Sequence, residues 1–437
     1  MKFNVIFTTP TWNLSGVNTF TANLIKELNN SGIPATLLIT NPPRQKGDYT
    51  MPLPSHIPVE KLPVKEEDNW KTRWQTIIEY LEAKAPCIYV PNYDWGHSAV
   101  SPVLSNKVGI VGIIHSDDPI HYDHVARLGE YWNRVISVSK AIEQKTIDIC
   151  PSVKDRARVI PYGVLVPNSW KERPLDASAP LKLVYGGRLA QYQKRVFDLP
   201  KIVSSLLKMN IPVKLTIAGD GSDGQKLRDV CEPLVQQGAI QFLGTVSNEK
   251  VLEIYEQNDI FLLTSEFEGL PVSALEAMGR GCIPVVSDIT SGIPELVENG
   301  VNGFRVPIGE IEQFAQNIAT LYQDLDLRHN MSLNAYQTIK EGGYTTKDMV
   351  ASYIEVFKSV MQEALSGDYQ RPPGEIVISQ YQPLTSQELK IPPFIFYPLR
   401  AAYLKLSGGG LENSSPNLLA KVLNSIMMKI ARSARDV

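Results

Sequence analysis

At 437 residues the chain is too long for one ordinary core, so two domains of roughly 150 to 200 residues each are expected. With 43 basic against 46 acidic residues and a net charge of −3, nothing global directs it to nucleic acid or to an anionic membrane, and no nucleic-acid partner is expected. The four cysteines, Cys87, Cys150, Cys231 and Cys282, show neither metal nor redox spacing, which suits reduced thiols, no disulfide and a cytoplasmic location.

The opening run MKFNVIFTTP is too short for a signal peptide, and no stretch reaches the roughly 18 apolar residues of a membrane span. Short apolar runs then alternate with helical patterns, as NVIFT, ATLLIT, CIYV, VGIVGII and RVISVS. This alternation predicts a parallel sheet wrapped by helices. After the first strand, Ser15 and Gly16 in NLSGVNTF form a turn that would let a phosphate approach, a shape shared with many short strand-to-helix turns. The loop PNYDWGHSAV carries Tyr93, Trp95 and His97, aromatic groups able to stack on a sugar or simply to pack. His115 follows VGIVGII at a strand's carboxyl end, as a site group or a hydrogen-bonded core histidine. His121 and His124 in HYDH lack a third spaced ligand, so they predict helix surface and no metal site.

The pattern breaks at 167–180, a polar stretch with three prolines, and restarts at LKLVYGG. A domain over 1–166, a linker over 167–180 and a second domain over 181–345 follow. The second half repeats the plan with LKLVYG, VKLTIAG, IQFLG, DIFLLTS, IPVVSD and GFRV. In GGRLAQYQKRV, Gly187, Arg188 and Lys194 come just after a strand. Arginine offers a planar fork and lysine a mobile point charge, so the pair can neutralise a diphosphate, whereas either alone reads as a solvated surface charge. GDGSDG at Asp220 lacks the ligand spacing of a calcium loop and reads as a turn.

The most informative stretch is SEFEGLPVSALEAMGRG, which sets Glu268 eight residues before Glu276 at a strand-to-helix turn. FLLTS predicts a buried strand, Pro271 opens a helix, and Gly279 and Gly281 close it. One such glutamate is normally a cap or a helix-dipole partner. Two in this frame, with two cations upstream, point to a site. Because ligands of open parallel sheets bind beyond the strands' carboxyl ends, the candidates from both halves place that site in a cleft between them.

Beyond Gly343 a helix over 346–365 carries one apolar stripe, Val350, Tyr353, Ile354, Phe357, Val360 and Met361, and should pack on the body. Residues 366–437 are rich in proline and glutamine, with SGGGLENSSP as a flexible linker. From Leu418 a basic amphipathic helix follows, with Lys421, Arg432 and Arg435 opposite its apolar half. Segment 416–437 suits peripheral membrane contact on the inner face, packing on the protein itself or contact with another subunit.

Taken in order, these residues resemble the retaining glycosyltransferases of family 4, over roughly Met1 to Leu365. The most specific piece runs from Glu268 to Pro307 and fits the family's glutamate-x7-glutamate motif and its downstream signature. GGRLAQYQKR, IPYGV and ISVSKAI also sit where the family has its own versions. Two departures bear on phosphate and acceptor details. Tyr162 stands where asparagine is common, and Ser15 and Gly16 stand where paired glycines are common.

The resemblance implies an α/β chain of GT-B fold, with two facing Rossmann-like doubly wound domains, a cleft between them and a C-terminal extension. It implies transfer of a sugar, a hexose, from a UDP- or GDP-linked donor to a glycan or lipid-linked acceptor, with retention and with no cofactor or metal. A role in surface polysaccharide or glycolipid synthesis would follow. By resemblance Glu276 holds the ribose, Glu268 lies beside the donor sugar, Arg188 and Lys194 bind the diphosphate, and His115 approaches the transferred sugar. Gly16 lines the phosphate and acceptor side, Gly187 falls among the donor-binding residues, the backbone at Val246 faces the base, and Pro271, Val272 and the N–H groups after them cap the phosphates. The acceptor side falls to Tyr93, Trp95 and His97. The alternatives are a catalytically silent nucleotide-sugar-binding subunit that recruits a partner, or an epimerase or phosphorylase on the same architecture.

Overall fold

The computed structural model describes residues 3–12, 15–41, 53–65, 68–92, 96–173 and 179–377. Tyr93, Trp95 and the segment 416–437 lie outside the described residues. The first half forms a seven-stranded sheet from β1 (Asn4–Thr9), β2 (Ala35–Ile39), β3 (Val59–Lys61), β4 (Cys87–Pro91), β5 (Val108–Ile114), β6 (Arg134–Ser137) and β7 (Ala157–Val159). The second forms a six-stranded sheet from β8 (Leu181–Gly186), β9 (Val213–Ala218), β10 (Ile240–Gly244), β11 (Ile260–Leu263), β12 (Ile283–Ser287) and β13 (Phe304–Val306). Strand order is β3-β2-β1-β4-β5-β6-β7 in one and β10-β9-β8-β11-β12-β13 in the other, with parallel pairing between neighbours. Both are doubly wound orders that reverse direction beside the first strand.

The local chemistry explains the elements. Parallel strands covered on both faces must be apolar on both, and all seven residues of β5 are buried. Gly112 of β5 leaves room for the Trp132 ring, which a Cβ there would overlap. Helices start where a side chain accepts an orphan N–H: Ser15 takes that of Asn18, Ser139 that of Ile142 and Ser247 that of Lys250. The edge strands β3 and β7 have three residues each, too few to carry an alternation, and composition did not foretell them.

One apolar cluster joins the first sheet to the near face of the second through Ile160, Tyr162, Val164, Leu270 and Ile293. A second fills the far face around Leu183, Ile202, Ile217 and Phe314. The four cysteines are buried and unpaired. Among the described residues no helix is long and apolar enough to cross a membrane.

The helix expected over 346–365 is observed as Thr346–Ser366 and packs on the first sheet. Phe357 meets Phe7 edge-on at 6.1 Å, and Arg134 is ion-paired with Glu363. Gly367 ends the helix in the left-handed region at φ 79. The chain then runs along the first domain as far as residue 377. Arg371 reaches the carbonyl oxygens of Tyr131 at 3.0 Å, Val108 at 2.7 Å, Ser105 at 2.8 Å and also Leu104, and its backbone N–H donates to Asn106. A charged donor shared among neutral carbonyls is worth roughly 1.5–3 kcal/mol per bond in favourable cases, and these bonds partly share one geometry. Arg371→Ala is therefore expected to lower stability by roughly 2–3 kcal/mol. Urea unfolding should show a lower midpoint with an unchanged slope.

Candidate functional site in the cleft

In a doubly wound sheet the crevice opens where strand order reverses. In the first sheet that point lies between β1 and β4, and in the second between β8 and β11. Gly16 opens the helix Gly16–Asn30 behind β1, and Asn92 follows β4. Gly187 and Arg188 follow β8, while Thr264 to Glu268 follow β11. The candidates read from both halves thus fall on the two crevices.

Glu268 is the most heavily bonded of them. It is 8% exposed, and its Oε1 accepts from Lys194 Nζ at 2.6 Å and from Ser265 Oγ at 2.6 Å. Gln193 Nε2 donates to Oε2 at 3.4 Å and to the Phe267 carbonyl at 3.2 Å. The same amide's oxygen accepts from the exposed Arg188 at 2.6 Å. Gln193 therefore connects Arg188 to the carboxylate that Lys194 meets directly, a role that sequence reading missed because a neutral amide carries no charge signal. Its one legible cue is its place directly before Lys194.

The turn that presents Lys194 is built by its neighbours. Arg195 adopts φ 49, rare for a residue with a side chain, and ends the short helix Gln191–Lys194. Its guanidinium is held by Asp198 at 2.8 Å and Glu266 at 3.0 Å, and Thr264 Oγ1 donates to the Lys194 carbonyl at 2.8 Å. These contacts offset the conformational cost and fix the loop against the end of β11.

Glu276 lies on the helix Val272–Met278, which follows Pro271 and closes at Gly279 as the residue pattern predicts. Pro271 is buried and Val272 half-buried. Burial pushes the Glu276 carboxyl up to about 7, partly offset by the Arg280 charge and the Asn248 amide. Asn248 begins the helix after β10, two residues beyond the half-buried Val246. Gly187, Val246 and Glu276 thus share the carboxyl edge of the second sheet. The loops after β8 and β9 touch there, since a Cβ on Gly219 would overlap the Gly187 carbonyl.

The first domain closes over this edge. Ser116 and Gly269 form an antiparallel bridge, and a Cβ on Gly269 would overlap the His115 carbonyl oxygen, so only glycine permits the approach. Glu295 of the second half accepts from the backbone N–H groups of Lys140 at 3.0 Å and Ala141 at 3.1 Å, at the start of the helix Lys140–Ile149 in the first. Thr290 donates to Asp117 at 3.1 Å.

His115 is 4% exposed. Its Nδ1 lies 2.7 Å from Tyr162 Oη and its Nε2 3.3 Å from Asn92 Oδ1. Burial, with a smaller contribution from His121, holds it well below the usual histidine range, so it is neutral at physiological pH. The structure corrects two other histidine readings. His97 is 1% exposed, with Nδ1 3.3 Å from Thr40 Oγ1, so its ring has no open face for a sugar. His124 is buried, 2.9 Å from Ser98 Oγ and edge-on to Trp132, where the helix surface was expected. Its side of the helix Pro119–Leu128 faces the body rather than solvent.

The segment 168–338 matches the family described as glycosyl transferases group 1. An uncharacterized glycosyltransferase of Methanocaldococcus jannaschii is 27% identical over 275 residues, 60% of this chain and 70% of that protein. The amylovoran biosynthesis glycosyltransferase AmsK of Erwinia amylovora is 34% identical over 198 residues, 43% of this chain and 47% of its own length. The match thus spans less than half of AmsK. Among solved structures, HepE of Anabaena in complex with UDP and glucose superposes with a TM-score of 0.65 at 18% identity, over 82% of this chain and all of that one. That likeness establishes the fold, which is GT-B: two parallel-sheet domains facing one another across a cleft.

Proposed function

We propose that the chain is a retaining, metal-independent glycosyltransferase of family 4. It would move a sugar, a hexose, from a UDP-linked donor to a glycan or lipid-linked acceptor in surface polysaccharide synthesis. The observation that carries this reading is the linkage of Arg188, through Gln193, and of Lys194 to Glu268 beyond β8 and β11, with Glu276 on the helix that follows and the His115 backbone packed against Gly269 from the other domain. Support for the class comes from the group 1 match and from the glycosyltransferase relatives.

In this mechanism the bond from the anomeric carbon to the diphosphate oxygen breaks, and negative charge grows on the leaving group. Arg188 and Lys194 stabilise that charge, which supplies the electrostatic role a divalent ion would otherwise fill. Glu276, as a carboxylate, accepts hydrogen bonds from both hydroxyls of the ribose diol. The acceptor oxygen attacks from the leaving-group face, and its proton passes to the departing diphosphate. Glu268 is read as a group that positions the sugar rather than as a nucleophile. Its Oε1 is already engaged by Lys194 and Ser265, which lowers its nucleophilicity.

The test is a thermal-shift titration of the full chain with UDP, GDP, ADP and CMP, with and without magnesium. Saturation at about 100 times the dissociation constant adds roughly 2.7 kcal/mol, and the expected result is a higher Tm with UDP that does not need the metal. NMR of the product anomer with an accepted substrate then tests retention. No shift with any nucleotide overturns the reading, and a shift only with magnesium overturns its metal-independent form.

A further inference from the structure

We propose that Tyr162 is a positioning residue: with Asn92 Oδ1 selecting the Nε2–H tautomer of His115, the Tyr162 phenol donates to Nδ1 and locks the ring so that its Nε2–H is offered to the donor. The catalytic consequence rests on the transferase reading above, whereas the tautomer follows from the hydrogen-bond chain alone.

That chain starts at a group whose role is certain. The Thr8 carbonyl oxygen can only accept, and Asn92 Nδ2 lies 3.3 Å from it and 3.2 Å from Thr21 Oγ1. The Asn92 amide is thereby oriented, with Nδ2 toward β1 and Oδ1 toward His115. Oδ1 is an acceptor, so the His115 Nε2 at 3.3 Å must carry the proton. A neutral imidazole has one N–H, which leaves Nδ1 bare, and the Tyr162 hydroxyl at 2.7 Å is then the donor.

Packing holds the pair in register. The two rings lie nearly parallel, at 12° and 6.0 Å between centroids. Phe20 covers both, 5.5 Å from His115 and 5.0 Å from Tyr162, and Tyr353 of the helix Thr346–Ser366 backs Phe20 at 5.9 Å. Tyr162 itself sits on the connection from β7 toward the second domain, two residues before Val164, which pairs with Thr345. Its ring is therefore set by the backbone that joins the halves.

The two bonds differ in length, and the difference has a use. The short bond to Tyr162 fixes the ring's orientation, while the long bond to Asn92 leaves the Nε2–H easily redirected to an oxygen of the bound donor. Asparagine, the residue that the family resemblance leads one to expect at this position, has a shorter side chain without a hydroxyl, so this pairing is a property of the present chain.

Long-range proton–nitrogen correlation spectra of the histidine-labelled full chain read the tautomer directly. The wild type is expected to show His115 as the Nε2–H form. Asn92→Ala removes the acceptor that selects this form, and because a phenol accepts as well as donates, the signal should become a tautomer mixture. Tyr162→Phe keeps the ring and Asn92, so the Nε2–H form should persist while the imidazole loses its anchor, and kcat should fall roughly tenfold with the donor KM and UDP affinity unchanged. A wild-type Nδ1–H form, or a Tyr162→Phe protein with kcat unaltered, overturns the proposal. Should Tyr162→Phe fail to fold, the wild-type spectrum still decides whether the phenol donates. If the wild type binds no nucleotide, the transferase reading fails while the same spectra still judge Tyr162.

Discussion

Glu268→Gln is expected to lower turnover by roughly 100- to 1,000-fold while UDP affinity stays level or rises. The asymmetry follows from what Glu268 does in the unliganded protein. Its carboxylate engages Lys194 at 2.6 Å, so the cation assigned to the diphosphate is partly neutralised before a donor arrives. Glutamine has nearly the same shape and keeps an oxygen to accept from Ser265 and Lys194, but it removes the charge. Lys194 is then freer to meet a phosphate, which helps nucleotide binding. The developing positive charge on the sugar loses its nearest carboxylate, which slows transfer. Calorimetry with UDP beside single-turnover kinetics with a matched acceptor separates the two effects. Normal turnover would take Glu268 out of the reaction, and a collapse of UDP affinity would make it a donor-binding group instead.

Glu276 should make donor affinity depend on pH. In the free protein its carboxyl titrates near 7, and burial is the main cause. Only the carboxylate accepts a hydrogen bond from each hydroxyl of a ribose diol, so nucleotide binding favours the charged form and lowers the pKa of the complex. The sign follows from linkage: above about 7 the carboxylate is already present and affinity is flat. Below it, binding must release a proton and affinity falls about tenfold per pH unit, until the pKa of the complex is reached. Glu276→Ala should weaken UDP at pH 8 by roughly 100-fold, the worth of charged hydrogen bonds at about 1.5–3 kcal/mol each. Glu276→Gln isolates the titration from that of the nucleotide's own phosphates, and its UDP affinity should lose most of the decline between pH 7 and 6. Equal affinity of Glu276→Ala and wild type by calorimetry would refute the ribose role. A decline that survives unchanged in Glu276→Gln would assign the titration to another group.

The framework was legible in the residues because its signals are local. Continuous apolar runs such as VGIVGII mark strands buried on both faces, and their alternation with helical stretches specifies parallel order. The spacing from Glu268 to Glu276 sits on a strand-to-helix turn whose proline and glycines set the ends of Val272–Met278. Short elements without periodicity, such as β3, escaped, as did the strap held by Arg371, because its partners are backbone carbonyls that have no sequence signature. Histidine chemistry was the least legible part. His97 and His124 turn inward because burial depends on which side of a loop or helix meets the body, a fact of packing and not of residue type.

By itself the amino-acid sequence determined two doubly wound halves and the carboxyl edges that carry Arg188, Lys194, Glu268 and Glu276, since these follow from hydrophobic periodicity and turn chemistry within short windows. Only the tertiary structure decided how those groups are partnered: Lys194 on Glu268, Gln193 between Arg188 and Glu268, and Tyr162 on His115, pairs separated by 74, 75 and 47 residues for Lys194–Glu268, Gln193–Glu268 and His115–Tyr162. Side chains so far apart in sequence meet only when the strand ends of each half are assembled. The sign and position of charge at those ends are therefore properties of the assembled fold.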